Sequence, residues 1–270
     1  MWFPFKRGKI AVVELFGSIE SGQQIVNYSK MLESLREDSK VKAVVILVDC
    51  PGGTATGSTG VHLAVTRLAA EKPTVAYVSG MAASGGYMVS CPATRIVAIP
   101  GAIIGSIGVI SARMVAYDLL DWLGVGFDVT KSGRLKDMGA FYREATSEEK
   151  EKEQSMVDTF HSYFVELVAK DRKIDETKVR ELATGEIYIA EKAKELGLID
   201  EVGDFEAALD VASKLSKVSK KRIKYIAPRQ GLLQRLIGGR IGFSTDHSLI
   251  PSRKVAVDYP YYYRNPPRYQ

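Results

Sequence analysis

Short runs of apolar residues alternate, along the first half of the chain, with segments in which apolar residues recur every three or four positions. The segments 23–35, 54–70 and 83–89 have this helical spacing. The runs have the length and β-branched content of buried strands, and they lie at residues 10–15, 41–48, 74–78, 95–99, 103–110 and 127–131. Because strands that alternate with helices pair in parallel through crossover connections, the pattern predicts an α/β fold.

The pattern changes after residue 145, where helical spacing predominates. Residues 146–149 have a capping-box sequence, and apolar residues then continue at helical spacing to Val168. Further helices are predicted near residues 175–182, 190 and 204–215, with short strand-like segments at 187–189 and 198–200. A helical C-terminal part is therefore expected at about residues 146–216, within a domain that extends over residues 1–226.

Residues 227–270 are expected to stand apart from this domain. Residues 230–241 are amphipathic and basic, and the last twelve residues contain three prolines, which excludes a regular element there. A tail of this composition favours disorder, with a self-substrate or plug formed by residues 252–270 as the alternative.

The charge of the chain is uneven. The formal net charge is +5, and residues 211–245 carry nine Lys and Arg but no Asp or Glu. This asymmetry favours a solvated basic face, or peripheral contact with an anionic membrane surface through residues 230–241. A nucleic-acid partner is not expected.

Neither a signal peptide nor a membrane span is predicted. The apolar part of the N-terminus is too short for either, and the apolar region at 96–112 is interrupted by Pro100 and several glycines. The expected location is therefore cytoplasmic, or peripheral to the cytoplasmic membrane.

Two turns at the ends of predicted strands carry candidate chemistry. Gly52 and Gly53 follow the run at 41–48, and a Gly-Gly turn can leave backbone N–H groups free to bind an anion. Ser84 lies among small residues at a strand-to-helix turn, which is how a serine nucleophile is presented. Locally, a tight turn and a helix N-cap serine are equally good interpretations of these two features.

A nucleophilic serine needs a base, and the histidines are poorly placed to supply one. His62 falls in a predicted helix, and no histidine lies between Ser84 and His161. A lysine can replace histidine where burial lowers its pKa, and Lys136 follows in a predicted loop. The two cysteines, Cys50 and Cys91, form no Cys-x-x-Cys pair, and no His/Cys/carboxylate cluster has ligand spacing, so neither a metal nor another cofactor is expected.

An ordered set of motifs resembles the signal peptide peptidase A family of serine peptidases, in the Clp protease and crotonase superfamily. The matching pieces span roughly residues 8–226 and lie at residues 51–53, 83–87, 96–98, 105–109, 136–137, 143–144, 156–158, 185–190 and 196–200. The resemblance implies a spiral of repeated β-β-α units. A departure is Cys50, where a serine is common in the family.

The resemblance also implies a mechanism. Ser84 would be the nucleophile, Lys136 the general base 52 residues later, and Ser106 the side chain that orients the lysine. Gly53 and Gly85 would supply the oxyanion hole through their backbone N–H groups. The expected substrates are apolar peptides such as cleaved signal peptides.

The family further implies a homo-oligomer whose active sites lie at subunit interfaces, so Ser84 and Lys136 need not meet within one chain. Two other functions stay open at this point. One is a non-catalytic scaffold that keeps the fold, and the other is a crotonase-like acyl-CoA enzyme, for which no CoA-binding signature is evident.

Overall fold

The computed structural model describes residues 8–20 and 22–226. Its strands are β1 (Lys9–Phe16), β2 (Val41–Cys50), β3 (Thr74–Ala83), β4 (Arg95–Ala98), β5 (Ile103–Gly105), β6 (Ile187–Ile189), β7 (Glu201–Val202) and β8 (Ile223–Ile226). Its helices are α1 (Gly22–Glu37), α2 (Ala55–Glu71), α3 (Gly85–Ser90), α4 (Tyr117–Trp122), α5 (Ser147–Arg172), α6 (Glu176–Leu182), α7 (Ala190–Glu195) and α8 (Phe205–Ser216). The segments 227–270, 230–241 and 252–270, for which membrane contact or a tail was predicted, lie outside the described residues.

These strands form one sheet in the order β6-β5-β3-β2-β1-β8, with β4 pairing β3 and β7. Every described pair is parallel except β5 with β6. The parallel pairing predicted from the alternation of strands and helices is therefore confirmed. The central strands are almost continuously buried, as expected of strands covered on both faces.

Two hydrophobic layers cover the sheet. On one face, alternate residues of β1 and β2 such as Val13 and Ile46 pack with α1, α2, α3 and α5. On the other face, Val12, Val45 and Tyr77 pack with α8, and the rings of Tyr77 and Phe205 lie 5.5 Å apart. The sheet therefore fixes the ends of β2 and β3 between two packed layers.

A long excursion, residues 108–144, leaves this body and is called the arm below. None of its residues is buried, and α4 is its one helix. Ile110 is 90% exposed and Trp122 80% exposed. The arm therefore presents apolar side chains that the described part of the chain leaves uncovered.

Three predicted strands are corrected by the structure. Residues 127–131 form no strand, because they lie in the arm and no described strand pairs with them. The strand predicted at 103–110 ends at Gly105, where φ is +105° and the chain turns away. The strand predicted at 198–200 lies instead at 201–202, beside β4.

The predicted capping box begins α5. The Thr146 hydroxyl accepts a hydrogen bond from the Glu149 N–H at 3.2 Å, and the Glu149 carboxylate accepts one from the Thr146 N–H at 2.8 Å. Phe164 and Val165 fix the middle of this helix in the core. No described helix is both long and apolar enough to cross a membrane.

Candidate active site

Ser84 occupies the turn between β3 and α3 in a backbone conformation that a residue with a side chain rarely adopts, with φ 50° and ψ −123°. Its N–H donates to the Gly105 carbonyl at 2.8 Å, and its carbonyl accepts from the Met88 N–H at 2.9 Å. Ser84 stands at the N-cap position of α3, yet its side chain makes no capping hydrogen bond. Strain of this kind costs about 1–3 kcal/mol and is typical of functional turns.

The Gly-Gly turn after β2 lies directly against Ser84. A Cβ on Gly52, whose φ is +118°, would sit 2.8 Å from the Ser84 Cβ and 3.0 Å from the Gly85 N. A Cβ on Gly53 would sit 2.1 Å from the Ile19 carbonyl oxygen. This close approach explains why glycine is needed at both positions.

Two backbone amides of this turn region have no acceptor within the described chain. Hydrogen bonds connect Ile19 to Gly52 and Thr54 on either side of Gly53, but the Gly53 N–H donates to no described group. The Gly85 N–H, at the first position of α3, likewise donates to none. Both amides can therefore donate to an oxyanion beside Ser84.

A cavity of about 570 Å³ opens at Ser84. None of the described residues that line it is charged. Its walls are formed by Pro51, Gly53, Thr54, Ala55, Ser58, Thr59, Ser84, Gly85, Met88, Ser106, Gly108, Val109, Ile110, Phe160, Tyr163, Phe164, Thr184 and Gly185. The cavity fits an uncharged side chain or a short apolar stretch of peptide.

Ser58 is a cavity residue that the sequence analysis missed. Ser58 is 1% exposed, and its hydroxyl has no hydrogen-bond partner among the described residues. A Cβ on Gly85 would sit only 2.0 Å from this hydroxyl oxygen. A serine inside a predicted helix gives no signal in the sequence, because only the packing of α2 against α3 brings it here.

The predicted lysine-orienting residue, Ser106, also lines the cavity. Its φ is 50°, and its N–H donates to the Glu186 carbonyl at 2.7 Å. Ser106 and Ser84 are thus brought to one cavity.

Lys136 is not brought to this cavity. It lies exposed in the arm, within a series of turns, and its N–H donates to the Gly133 carbonyl at 3.0 Å. No described residue pairs with its side chain. Within a single chain the structure therefore brings together Ser84, Gly53, Gly85 and Ser106, but not Lys136.

The described histidines have structural partners elsewhere. His62 is buried and contacts the Asp171 carboxylate at 2.6 Å, while His161 contacts the Ala183 carbonyl at 2.8 Å. Neither lines the cavity at Ser84. The third histidine, His247, lies outside the described residues.

The cysteines do not form a reactive site. Cys50 and Cys91 are both buried and free, and burial raises the pKa of each thiol. Across the described ranges, no group of three or more His, Cys, Asp or Glu residues is placed to hold a metal ion.

A serine on a strained strand-to-helix turn, beside two free amides on a parallel sheet, has the geometry of a serine hydrolase site. Comparison with known proteins narrows this class. The sequence model of Peptidase family S49 matches residues 66–219. A relative from Synechocystis sp. is 35% identical over 246 residues, covering 88% of this chain and 87% of that protein.

Two further relatives are longer than this chain. A relative from Methanocaldococcus jannaschii is 42% identical over 196 residues, covering 73% of this chain and 63% of that protein. Protease 4 of Salmonella typhi is 32% identical over 243 residues, covering 87% of this chain and 39% of that protein. The chain therefore belongs to peptidase family S49, the signal peptide peptidase A family of serine peptidases.

Solved structures establish the fold type. The 1510-N membrane-bound stomatin-specific protease, in complex with a substrate peptide, matches with a TM-score of 0.54 at 18% identity, covering 86% of this chain and 97% of that one. ClpP1 from Listeria monocytogenes matches with a TM-score of 0.51 at 13% identity, covering 73% and 93%. At these identities the likeness shows the fold alone, which is Clp protease-like, as the sequence resemblance implied.

Proposed function

We propose that this chain is a serine endopeptidase in which Ser84 is the nucleophile and Lys136 the general base. The observation that carries the proposal is the strained turn at Ser84, which leaves its side chain uncapped between the free N–H groups of Gly53 and Gly85. A serine that merely capped α3 would need neither the strained φ nor the two free amides.

The cycle is an acyl transfer. The neutral Lys136 amine takes the proton from Ser84 as its Oγ bonds to the peptide carbonyl carbon. The N–H groups of Gly53 and Gly85 hold the resulting oxyanion, and loss of one such donor costs about 3–4 kcal/mol. The lysine ammonium then protonates the departing amine. Water, deprotonated by the same lysine, releases the acyl group and regenerates Ser84.

The lysine would come from a neighbouring subunit. Lys136 lies on the arm, whose apolar residues such as Ile110 and Trp122 are left uncovered by the described part of the single chain. Burying them against a second copy would stabilise a homo-oligomer and carry Lys136 toward a neighbour's cavity. The Ser106 hydroxyl, which lines that cavity, would accept a hydrogen bond from the lysine and orient it.

The substrates would be apolar peptides, such as cleaved signal peptides or unfolded segments of membrane-associated proteins. The uncharged walls of the cavity support this, because a buried charge without a partner is costly. Phe160, Tyr163 and Phe164 provide an aromatic wall suited to apolar chain.

Mixing two inactive variants tests the base and the subunit arrangement together. Ser84→Ala and Lys136→Ala are each expected to lose peptide hydrolysis. Combined by dissociation and reassembly, they should regain part of the activity, since some interfaces would pair an intact serine with an intact lysine. The exposed Lys192→Ala on α7, which removes a single surface ion pair, is a matched control and should keep full activity.

The outcome separates the alternatives. Two inactive variants with no recovery on mixing would place Ser84 and Lys136 in the same chain. Full activity of Lys136→Ala would reject the lysine as base. A wild-type protein that hydrolyses no peptide and reacts with no fluorophosphonate would favour the non-catalytic scaffold, and turnover of an acyl-CoA would favour the crotonase-like enzyme.

A further inference from the structure

The arm segment that carries Lys136 contacts the body of the protein through a network of charged groups, and one end of this network, Glu149, is buried. Arg143 lies at its centre. Its guanidinium donates to both carboxylate oxygens of Glu149, at 2.5 and 2.9 Å, and its Nε donates to the Asp137 carboxylate at 2.9 Å. It also donates to the Asp137 backbone carbonyl at 3.3 Å. Arg143 thus holds both the side chain and the backbone of the residue next to Lys136.

The other end of the network is rigid. The Glu149 side chain is only 2% exposed and also closes the capping box of α5 through Thr146. The same helix is fixed in the core through Phe164 and Val165. A continuous series of contacts therefore runs from the core through α5, Glu149 and Arg143 to Asp137.

From this geometry we infer that Arg143 is the positioning residue for the general base: it fixes the arm at Lys136 and keeps the neighbouring Asp137 carboxylate occupied. The inference rests on the proposed role of Lys136. A bidentate guanidinium suits the first task, because its planar fork sets the direction as well as the distance of a carboxylate.

The second task is electrostatic. A free carboxylate beside Lys136 would stabilise the ammonium form of the lysine and so disfavour the neutral amine that the mechanism needs. Both oxygens of Asp137 are engaged instead. Arg143 and Tyr142 contact Oδ2, and Arg143 and Lys131 contact Oδ1. These contacts hold the pKa of the Asp137 carboxyl well below its ordinary value, and Arg143 lowers the pKa of Glu149 to about 2.

The other charges around this part of the arm do not repeat this arrangement. Arg134 pairs with Glu148 at 2.6 Å, but its side chain is 78% exposed. Lys150 and Glu144 are 3.8 Å apart at the surface. The charged groups that face the segment are Arg113, Asp118, Asp121, Lys131, Arg134, Asp137, Arg143, Glu144, Glu148, Glu149, Lys150 and Glu153. Arg143 is, within the described ranges, the residue that joins Asp137 to a buried partner.

The test measures the availability of the neutral amine directly, in the assembled protein. Acetic anhydride acetylates neutral amines, so the extent of Lys136 acetylation against pH can be followed by peptide mass spectrometry whether or not the protein hydrolyses peptides. In Arg143→Ala, the midpoint of this profile is expected to move to higher pH, because the Asp137 carboxylate loses its guanidinium partner and keeps only its contacts with Lys131 and Tyr142, which makes it more available to Lys136. Arg143→Ala/Asp137→Asn should return the midpoint to the wild-type value.

Kinetics provide the second readout. Arg143→Ala is expected to lower kcat by about 10- to 100-fold with little change in KM, since a general base displaced by about 1 Å loses rate on this scale. Arg143→Lys keeps the charge but not the fork, and it should recover only part of the rate. Arg134→Ala, on the same segment, is the matched control and should behave like wild type in both measurements.

The results are separable. An unchanged acetylation profile in Arg143→Ala would overturn the inference, as would wild-type kcat in that variant. If Arg143→Ala does not fold, Asp137→Asn tests the inference instead, because it weakens the contact between Arg143 and the arm without adding a free carboxylate. It should lower kcat without moving the acetylation midpoint upward, and an unaltered kcat would overturn the inference. Full activity of Lys136→Ala would instead reject the proposed function, and the acetylation profiles would still report whether Arg143 acts on Lys136.

Discussion

Substituting Gly85 by alanine probes the packing of the proposed nucleophile turn. A Cβ at this position would lie 2.0 Å from the Ser58 hydroxyl oxygen and 2.9 Å from the Ser58 Cβ. Rotating the hydroxyl relieves only the first contact. Ser58 cannot move to solvent, and α3 is buried along its whole length. Overpacking of this kind costs about 1–3 kcal/mol, which lowers the Tm of a domain of this size by roughly 2–4 °C per kcal/mol.

Removing the obstructing side chain should reverse this cost. Ser58→Gly deletes both contacting atoms, at the expense of about 0.5–1 kcal/mol for a glycine inside α2. Gly85→Ala/Ser58→Gly is therefore expected to be about as stable as Ser58→Gly alone, giving a coupling energy of about 1–3 kcal/mol. Ser58→Ala, which leaves the Cβ at 2.9 Å, should relieve only part of the strain.

Urea unfolding of the wild type, Gly85→Ala, Ser58→Gly and the double variant measures the coupling energy. The rate of fluorophosphonate labelling reports the geometry of Ser84. Labelling is expected to slow in Gly85→Ala and to recover in the double variant. Additivity of the two changes within about 0.5 kcal/mol would refute the proposed contact between α2 and α3. A Gly85→Ala protein as stable as wild type would do the same.

Three further outcomes are expected. Asp171→Ala leaves the buried His62 ring nitrogen without its acceptor and should lower the free energy of unfolding by about 1–3 kcal/mol in urea titrations; Asp171→Asn, which keeps an acceptor, should cost less. Because Arg143 lowers the pKa of Glu149 from its ordinary 4.5 to about 2, the stability that this pair contributes is complete above pH 4.5 and is lost as the pH falls through 2. The free energy of unfolding of Glu149→Gln should therefore depend less on pH over that window than that of the wild type. Equal slopes of unfolding free energy against pH in the two proteins would contradict the assignment of this acid dependence to Glu149. Peptides cut after a neutral residue should have kcat/KM about tenfold or more above those cut after Lys or Glu, and equal values would exclude the uncharged cavity as the specificity site.

Much of the fold could be predicted from the sequence because its central strands are buried on both faces. The runs at β1 and β2 are continuous and β-branched, so their identity follows from composition alone. The start of α5 could be predicted equally well, since both halves of its capping box lie within four residues. The arm could not be predicted. Residues 127–131 have the composition of a strand, but a strand exists only where a sheet edge can pair with it.

In the candidate site, too, the features that depend on local sequence could be predicted and those that depend on contacts between elements could not. Ser84 and the Gly52-Gly53 turn could be selected locally as candidates, because sharp turns between elements leave a signature of small residues. Ser58 and Arg143 could not, since their contacts join elements that are distant in the chain or depend on side-chain direction. The role of Lys136 came from family resemblance, and an exposed lysine in a turn carries no local signal of catalysis.

The most direct test of the proposed mechanism is the site and rate of fluorophosphonate modification in the assembled protein, followed by mass spectrometry. We expect a single adduct on Ser84 in wild type, none in Ser84→Ala, and a strongly slowed reaction in Lys136→Ala, because the hydroxyl would then lack its base. An adduct on another residue, or Lys136→Ala labelled at the wild-type rate, would contradict the assignment of Ser84 and Lys136 as nucleophile and base.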